Sequence, residues 1–498
     1  MKETVVSSIV FAADQPAATI SRRVARGELR RLASGVYTTD GAADPAAVIK
    51  REWPTIVGGM LPGAVITDRS APTGGPADGV LYLAHDARDR ELALPGLTVL
   101  ARRGVGPVEG DVPLPGGLHM ASKGRGLAEN TRPSRARGGR VRRTLDEAEL
   151  GDWIDRLCQI DGELKLVAYR SQMESVAQNV GAPPAGVDSL SLMIGAAVGT
   201  QQARTGSKAL TARQARLPYD HDRLRQFDRV ISALRASAPQ NRPVDDPRAW
   251  KYRYLPFFEA YFSNFIEGTE FEVNEAVAIV YDGTQIPGRA DDSHDLLGTY
   301  QVVSDLEEMS ATAGSAAEFL QLLRSRHATI LAGRPDKNPG CFKEVANRAG
   351  ATAFVAPGLV PGTLTAGWER LTELDTAFER AVYMMFLVAE VHPFDDGNGR
   401  LARVMMNCEL VSAQQSRIII PTVYRDDYLG GLRRLTRQDD SSVLIKTLRY
   451  GQDYTAQLDF SDRADVIEQL TQTNAFNEPN SDERLVLPSR VPPPSSGS

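Results

Sequence analysis

From Ala377 to Val391, apolar residues return at Phe378, Ala381, Val382, Met385 and Ala389, the spacing of one buried helix face. Pro393 cannot extend that helix, so the chain has to turn there. Beyond the turn, Leu401, Val404, Met405 and Cys408 repeat the period, which predicts a second helix starting near Asn398 or Gly399. The segment from His392 to Arg400 is thus a loop anchored at both ends by core helices. Towards the N-terminus the pattern changes. Val80-Leu81-Tyr82-Leu83 and Leu97-Thr98-Val99-Leu100 are short apolar runs bounded by Gly or Pro, which predicts strands. Ala17 to Arg26 puts Ile20 and Val24 on one helical face, and Gly27 to Tyr37 reads as a turn and hairpin.

At 498 residues the chain exceeds the usual size of one hydrophobic core. Four regions are expected: an α+β region over 1–160, helices over 161–247 interrupted at Ala182-Pro183-Pro184-Ala185-Gly186, a mainly helical catalytic region over 248–454, and an extension over 455–498. Disorder is expected from about 474, because a stretch ending in Pro492-Pro493-Pro494-Ser495-Ser496-Gly497-Ser498 cannot bury a core. The fold class is therefore multidomain, a mainly α core plus an α+β N-terminal domain. Hydrophobic residues make up 42% and charged residues 24%, an ordinary globular composition. A net charge of −6 gives no global support for a nucleic-acid partner, which must rest on local basic patches. The three cysteines, Cys158, Cys341 and Cys408, make neither a disulfide framework nor a zinc pattern, and the start Met1-Lys2-Glu3-Thr4 lacks a secretory layout. The most apolar stretch, Ala381 to Val391, is too short to span a bilayer. A cytoplasmic protein without a membrane partner is expected.

The loop His392-Pro393-Phe394-Asp395-Asp396-Gly397-Asn398-Gly399-Arg400 concentrates chemistry. Gly397 and Gly399 permit close backbone approach, and the amides that open the next helix favour an anion. Arg400 and Arg403, three apart, can reach phosphate oxygens from nearly one face. Asp396 supplies a hard carboxylate suited to Mg²⁺ between phosphates. His392 is the group able to accept a proton near neutral pH.

This string resembles, at every specified position, the signature of the Fic family, His-Pro-Phe-x-Asp/Glu-Gly-Asn-Gly/Lys-Arg followed by x-x-Arg. The resemblance implies a protein adenylyltransferase. In it His392 deprotonates a Ser, Thr or Tyr hydroxyl of a target protein, which attacks the α-phosphate of ATP. Asp396 holds Mg²⁺, Asn398 with the amides of Gly397 and Gly399 binds phosphates, and Arg400 and Arg403 balance charge on the departing pyrophosphate. The Doc subgroup, which transfers phosphate, carries Ala and Lys where this chain has Gly397 and Gly399, which favours AMP transfer here.

Upstream, Ser263-Asn264-Phe265-Ile266-Glu267-Gly268 places Ser263 and Glu267 on one helical face that Gly268 can end. The segment resembles the family's inhibitory motif, Ser/Thr-x-x-x-Glu-Gly/Asn. By that resemblance Glu267 pairs with Arg403 and takes the place of the ATP γ-phosphate. Fic proteins also carry a hairpin flap against which the target adds as a strand. Gly350 to Pro357, with Thr352, Ala353, Phe354 and Val355, is the stretch expected to form it. Tyr424 to Leu435 is expected to pack only.

The N-terminal region resembles the winged-helix domain of AbiEi-type antitoxins, through the basic helix with Arg22, Arg23 and Arg26, the hairpin after it, and the cluster Arg132, Arg135, Arg137, Arg140, Arg142 and Arg143. That resemblance implies operator DNA as a partner. His85, His119, His221, His294 and His327 show no ligand spacing and are read as structural. Three alternatives stay open: a DNA-binding regulator whose Fic domain is a sensor, a transferase using another donor such as UTP, and an enzyme that removes AMP.

Overall fold

Capping residues and glycine turns cut the chain into helices and short strands, and a computed structural model describes residues 8–87, 89–136 and 139–491. The chain divides into two units, Met1–Ala215 and Arg216–Ser498.

In the first unit, β1 (Ile9–Phe11) and α1 (Ala17–Ala25) precede a hairpin of β2 (Arg30–Ala33) and β3 (Val36–Thr38). Gly35, at φ 75°, makes the hairpin turn. The three strands are antiparallel in the order β1-β3-β2. The expected helix and hairpin are present in that order. Among the described residues, however, α1 is the one α-helix ahead of the hairpin, so no helix pair forms there. Arg22 is exposed, whereas Arg23 and Arg26 both pair with Glu28.

Asp44 caps α2 (Pro45–Met60) by accepting from the Ala47 amide, and Pro45 sits in its first turn, where no amide partner is needed. Ile49, Ile56 and Val57 of α2 are buried with Leu81, Leu83 and Val99 of a second sheet. That sheet comprises β4 (Val65–Ile66), β5 (Val80–His85), β6 (Arg90–Leu94), β7 (Leu97–Arg103), β8 (Val112–Pro113) and β9 (His119–Met120), in the order β6-β7-β5-β4-β9-β8. The two apolar runs singled out in the sequence are β5 and β7, paired in parallel from Val80 opposite Thr98.

Five helices complete this unit: α3 (Lys123–Asn130), α4 (Glu147–Asp161), α5 (Glu163–Val180), α6 (Pro184–Ala197) and α7 (Lys208–Gln214). Leu127, Ile154, Met173, Ile194 and Leu210 form their shared core. A reciprocal capping box between Asp146 and Glu149 starts α4. Of the arginine cluster, Arg132 donates to the carbonyls of Val180 and Gly181. Arg140, Arg142 and Arg143 pair with Glu91, Asp146 and Asp68. Arg137 lies outside the described residues.

The second unit is helical: α8 (His221–Arg235), α9 (Leu255–Ile266), α10 (Val273–Asp282), α11 (Ala290–Ser304), α12 (Leu306–Ser310) and α13 (Ala316–Ile330) lead to a two-residue-strand hairpin, β10 (Arg348–Ala349) and β11 (Thr352–Ala353). Then follow α14 (Val360–Glu369), α15 (Ala377–Val391), α16 (Asn398–Ser412), α17 (Arg425–Gln438), α18 (Ser442–Thr455) and α19 (Arg463–Gln472). The stretch expected to be one connector over 161–247 is split by the unit boundary. Phe227 of α8 packs edge-on against Tyr383 and Phe386 of α15, which places α8 in the second core. Helix α15 spans the residues its periodicity predicts, with a capping box from Thr376 to Glu379, and is buried on nearly every side.

The C-terminal stretch corrects an expectation. Residues 474–491, read as disordered from composition, fold back on the second unit. Ala475 and Leu485 are buried, the Phe476 ring lies 5.6 Å from that of Phe262, and the Tyr450 hydroxyl donates to the Leu485 carbonyl at 2.8 Å. A few well-placed apolar side chains suffice where the average composition is polar. Residues 492–498 lie outside the described residues. Among the described residues, no helix is long and apolar enough to cross a membrane.

Leu485→Ala is expected to destabilise the second unit by about 2 kcal/mol, the low end for a buried leucine. Chemical denaturation read by far-UV circular dichroism measures it, and an unchanged midpoint would show that this stretch adds nothing to the fold.

Candidate functional site

The loop between α15 and α16 is shaped by the partners of its own peptide groups. His392 ends α15 in the left-handed region at φ 51°, its amide donating to the Val388 carbonyl. The buried Asn398 side chain then closes the turn. Its Oδ1 accepts from the Phe394 amide and its Nδ2 donates to the Phe394 carbonyl, both at 2.9 Å. Gly397 follows at φ 71°, where a Cβ would stand 3.2 Å from Leu331. Gly397 also serves as the N-cap of α16 and offers no side chain to the first helical amides. Those amides form the positive end of a helix and suit an anion.

Three residues that the sequence reading left out hold this loop from outside. The His327 ring stacks on Phe394 at 3.7 Å. Its Nδ1 accepts from the Gly340 amide, so the ring proton sits on Nε2, which donates to the Asp396 carbonyl at 3.0 Å. The Lys343 amide donates to the Pro393 carbonyl, and its buried ammonium donates to Asn347 Oδ1. Asn347 in turn donates to the Phe394 carbonyl at 3.0 Å. His327 was read as merely structural. It is structural at the loop itself, and its place beside the loop has no signature in sequence spacing.

His392 Nδ1 lies 3.3 Å from the Ala389 carbonyl oxygen, which can only accept, so the neutral ring keeps its lone pair on Nε2. Burial pushes its pKa down to about 4, assisted by the Lys343 ammonium and opposed by the Ala389 carbonyl bond and by Glu267 and Asp396. The imidazole is therefore neutral at pH 7. Phe354 stacks on it at 3.8 Å with the planes 4° apart. Of the expected flap residues, Thr352 and Ala353 form β11, Phe354 covers the imidazole, and Val355 is buried in the core. Arg437 of α17 donates to Thr352 Oγ1 and Arg223 of α8 to the Ala353 carbonyl.

The charged residues divide into two sets. Arg403, buried, donates through Nε to Ser263 Oγ at 2.9 Å and through Nη2 to Glu267 Oε1 at 2.7 Å. Burial opposes the Arg403 charge, and the attraction of Glu267 outweighs it, so its pKa is raised. Ser263 and Glu267 are thus on one face of α9, and Gly268, at φ 93°, follows the helix end. A Cβ at Gly399 would stand 2.1 Å from Glu267 Oε1, so this carboxylate lies directly over the start of α16. Arg400, buried, pairs with Asp295 of α11, and its Nη2 lies 3.7 Å from Asp396 Oδ1. Burial raises the Asp295 pKa despite that partner. Asp396 keeps a carboxylate 43% exposed, with Oδ1 accepting from the Gly397 amide at 2.7 Å. Among the described residues no group of three His, Cys, Asp or Glu side chains could hold a metal ion. An exposed carboxylate beside a phosphate-suited helix start fits Mg²⁺, which takes one or two carboxylates and the phosphates of its substrate. Helix α17, expected only to pack, also sets Tyr428 against Arg403 and Arg425 on the Ile266 carbonyl.

The neutral imidazole thus stands beside an uncapped, glycine-opened helix, with Glu267 meeting Arg403 over its start. The Fic/DOC family model matches residues 319–410, and the chain carries that domain. It is similar to the protein adenylyltransferase Fic of Drosophila willistoni, at 26% identity over 234 residues, 44% of each chain. It is also similar to that of Nematostella vectensis, at 27% over 244 residues, 47% of this chain and 56% of the relative. The chain spans about half the length of these curated relatives. A solved fragment of Fic-1 from C. elegans aligns with 61% of this chain and 90% of its own, at 17% identity and a TM-score of 0.37.

Both His327 and His392 have pKa values lowered from 6.5 to about 4 by burial. The unfolded chain therefore takes up these protons first. Their contribution to stability is full above pH 6.5 and is lost as pH falls towards 4. Denaturant midpoints should be level above neutrality and drop steadily across that window, and His327→Gln should flatten the drop. A variant with the wild-type slope would show that His327 carries no such shift.

Proposed function

We propose that the chain is a self-inhibited protein adenylyltransferase, which moves AMP from ATP to a hydroxyl of a target protein. The observation that carries this reading is His392, neutral with its free nitrogen at Nε2, beside helix amides suited to a polyphosphate. The hydroxyl oxygen forms a bond to the α-phosphorus, the bond from that phosphorus to the bridging oxygen of the β-phosphate breaks, and pyrophosphate leaves. The hydroxyl proton goes to His392 Nε2. The amides of Asn398 and Gly399 bind phosphate, and the Asn398 side chain keeps their geometry through Phe394. Asp396 would hold Mg²⁺, which supplies charge neutralisation between phosphates. Arg403 balances charge at the outer phosphates, while Arg400, between Asp295 and Asp396, steadies the loop carboxylate. Positioning and fixed charge do most of the work in such a transfer. The names of the curated relatives agree with this reading.

Glu267 is the brake. Its carboxylate holds the same arginine and lies over the same helix start that a γ-phosphate would need, and two anions cannot share them. The β10–β11 hairpin, two residues a side, is where the target backbone docks as an added strand. A cytoplasmic setting suits three unpaired thiols, Cys341 among them exposed. A second reading, operator DNA bound through Arg22, Arg23 and Arg26, draws on the exposed Arg22 and the hairpin after α1. A salt-sensitive shift of the protein's own upstream DNA is its expected sign, and no shift at low salt would end it.

With labelled ATP, Glu267→Gly should raise automodification on the order of 10- to 100-fold, the cost of holding a reacting group out of line, and His392→Ala should abolish it. Equal labelling of wild type and the Glu267 variant would remove the brake, and labelling retained without His392 would remove the mechanism.

A further inference from the structure

The first unit contains a cavity that the adenylyltransferase reading does not use. One face of the β5-β6-β7 sheet packs on α2 through Leu81, Leu83 and Val99. The opposite face lies under residues 133–136 and 140–143, and between them is a cavity of about 760 Å³, the size of a small-molecule site. The segment over it is a loop closed at its base. Ser134 Oγ and Thr144 Oγ1 are 2.8 Å apart, and the Thr144 amide also donates to Ser134 Oγ. Arg69 straps the returning limb, donating to the carbonyls of Arg142 and Thr144 while its guanidinium grips Glu149. The cavity therefore has fixed walls.

Its lining is dominated by guanidinium groups: Arg90, Arg102, Arg135, Arg140 and Arg143. Two of them are held by one buried carboxylate. Asp68, at φ 51° in the left-handed region, accepts from Arg102 Nε at 2.8 Å and from Arg143 Nη1 at 2.7 Å. Glu129, also buried, accepts from Arg102 Nη2 at 2.9 Å. At the rim Arg140 pairs with Glu91, and Asp89 is engaged by the Arg103 amide. Among the described residues Arg90 and Arg135 have no carboxylate partner. Five guanidinium groups thus line the cavity with the carboxylates Asp89 and Glu91, and the buried Asp68 and Glu129 stand behind Arg102 and Arg143. The Tyr82 ring is buried, so the wall offers no open aromatic face for a base to stack on. A concave site this small also excludes the width of a duplex.

We propose that this cavity binds a small polyphosphate anion, recognised through its phosphates by Arg90, Arg102, Arg135, Arg140 and Arg143. Arg102 and Arg143 form a preorganised floor, because Asp68 fixes their orientation before the ligand arrives. Arg135 and Arg140 meet the phosphates at the rim. Bidentate guanidinium–phosphate contacts supply the geometry, and the Glu91 carboxylate is the one group that the ligand must outcompete.

Isothermal titration of the full chain with inorganic triphosphate, and separately with ATP, tests this at low salt. Arg135→Glu with Arg140→Glu, both on the rim, should weaken triphosphate at least tenfold, and Glu91→Gln should tighten it severalfold by freeing Arg140. Arg403→Ala should leave this binding in place while removing any ATP bound at the Fic loop, so the two sites separate. ATP that keeps one binding event in the Arg403 variant, lost when Arg135→Glu and Arg140→Glu are added, would identify a nucleotide as the source of the phosphates. Triphosphate binding unmoved by the rim variants, or absent, would overturn the proposal. So would a 20-base-pair duplex bound through the same arginines in place of triphosphate.

Discussion

A loop between two buried helices has to find a partner for every peptide group, and here those partners are few and specific. Asn398 satisfies Phe394 at both its amide and its carbonyl, Asn347 adds a second donor to that carbonyl, and His327 takes the Asp396 carbonyl. Leaving such a group unpaired in a dry interior costs about 1–3 kcal/mol each. The same bonds hold His392 at φ 51°, a conformation that a non-glycine residue adopts only when its surroundings enforce it. That turn ends α15 abruptly and lets Gly397 open α16 with no side-chain cap. The reactive imidazole and the anion-suited amides are thus two consequences of one set of hydrogen bonds.

Charge in this interior follows the same rule of compulsory partners. Arg403 is almost wholly buried, and a buried guanidinium without a counter-ion would be costly. Glu267 meets that need, so the group proposed as the brake is also the counter-ion. A phosphate chain could replace it without leaving Arg403 unpaired, because one anion is exchanged for another. Loss of Glu267 alone, by contrast, leaves the arginine seeking an anion. Arg400 is held instead between Asp295, itself buried, and the more exposed Asp396. Two arginines one turn apart therefore differ in freedom, although the sequence presents them alike.

What the sequence disclosed was local. The period from Phe378 to Cys408 located both helices, because a buried face repeats every three to four residues whatever it packs against. The spacing of Ser263 and Glu267 likewise placed them on one face, and the glycine after them at the helix end. What it could not disclose was contact at long range. Lys343 and Asn347 reach a loop some forty-five to fifty residues away, and their own neighbours in sequence carry no sign of it. Composition misled at residues 474–491, where an average over polar residues concealed Phe476 and Leu485. It misled again over 161–247, where uniform helical texture hid the boundary at Ala215. Asp68 shows the limit most plainly, because neither its left-handed backbone nor its two arginine partners has any periodicity to betray it.

The two arginine sites can be compared through their counter-ions. Glu267 stands at the end of a helix with its side chain 34% exposed, whereas the Asp68 side chain is 1% exposed. A carboxylate at a helix end can swing into water at little cost, and the arginine it leaves is then free to take a phosphate. That is a switch. A carboxylate enclosed by protein cannot leave, so the arginines bound to it keep one orientation whether or not an anion is present. That is a fixed floor, and its affinity for an anion is set by the groups at the rim. Burial of the counter-ion, more than the number of arginines, therefore decides which arginine can exchange its partner and which keeps one orientation.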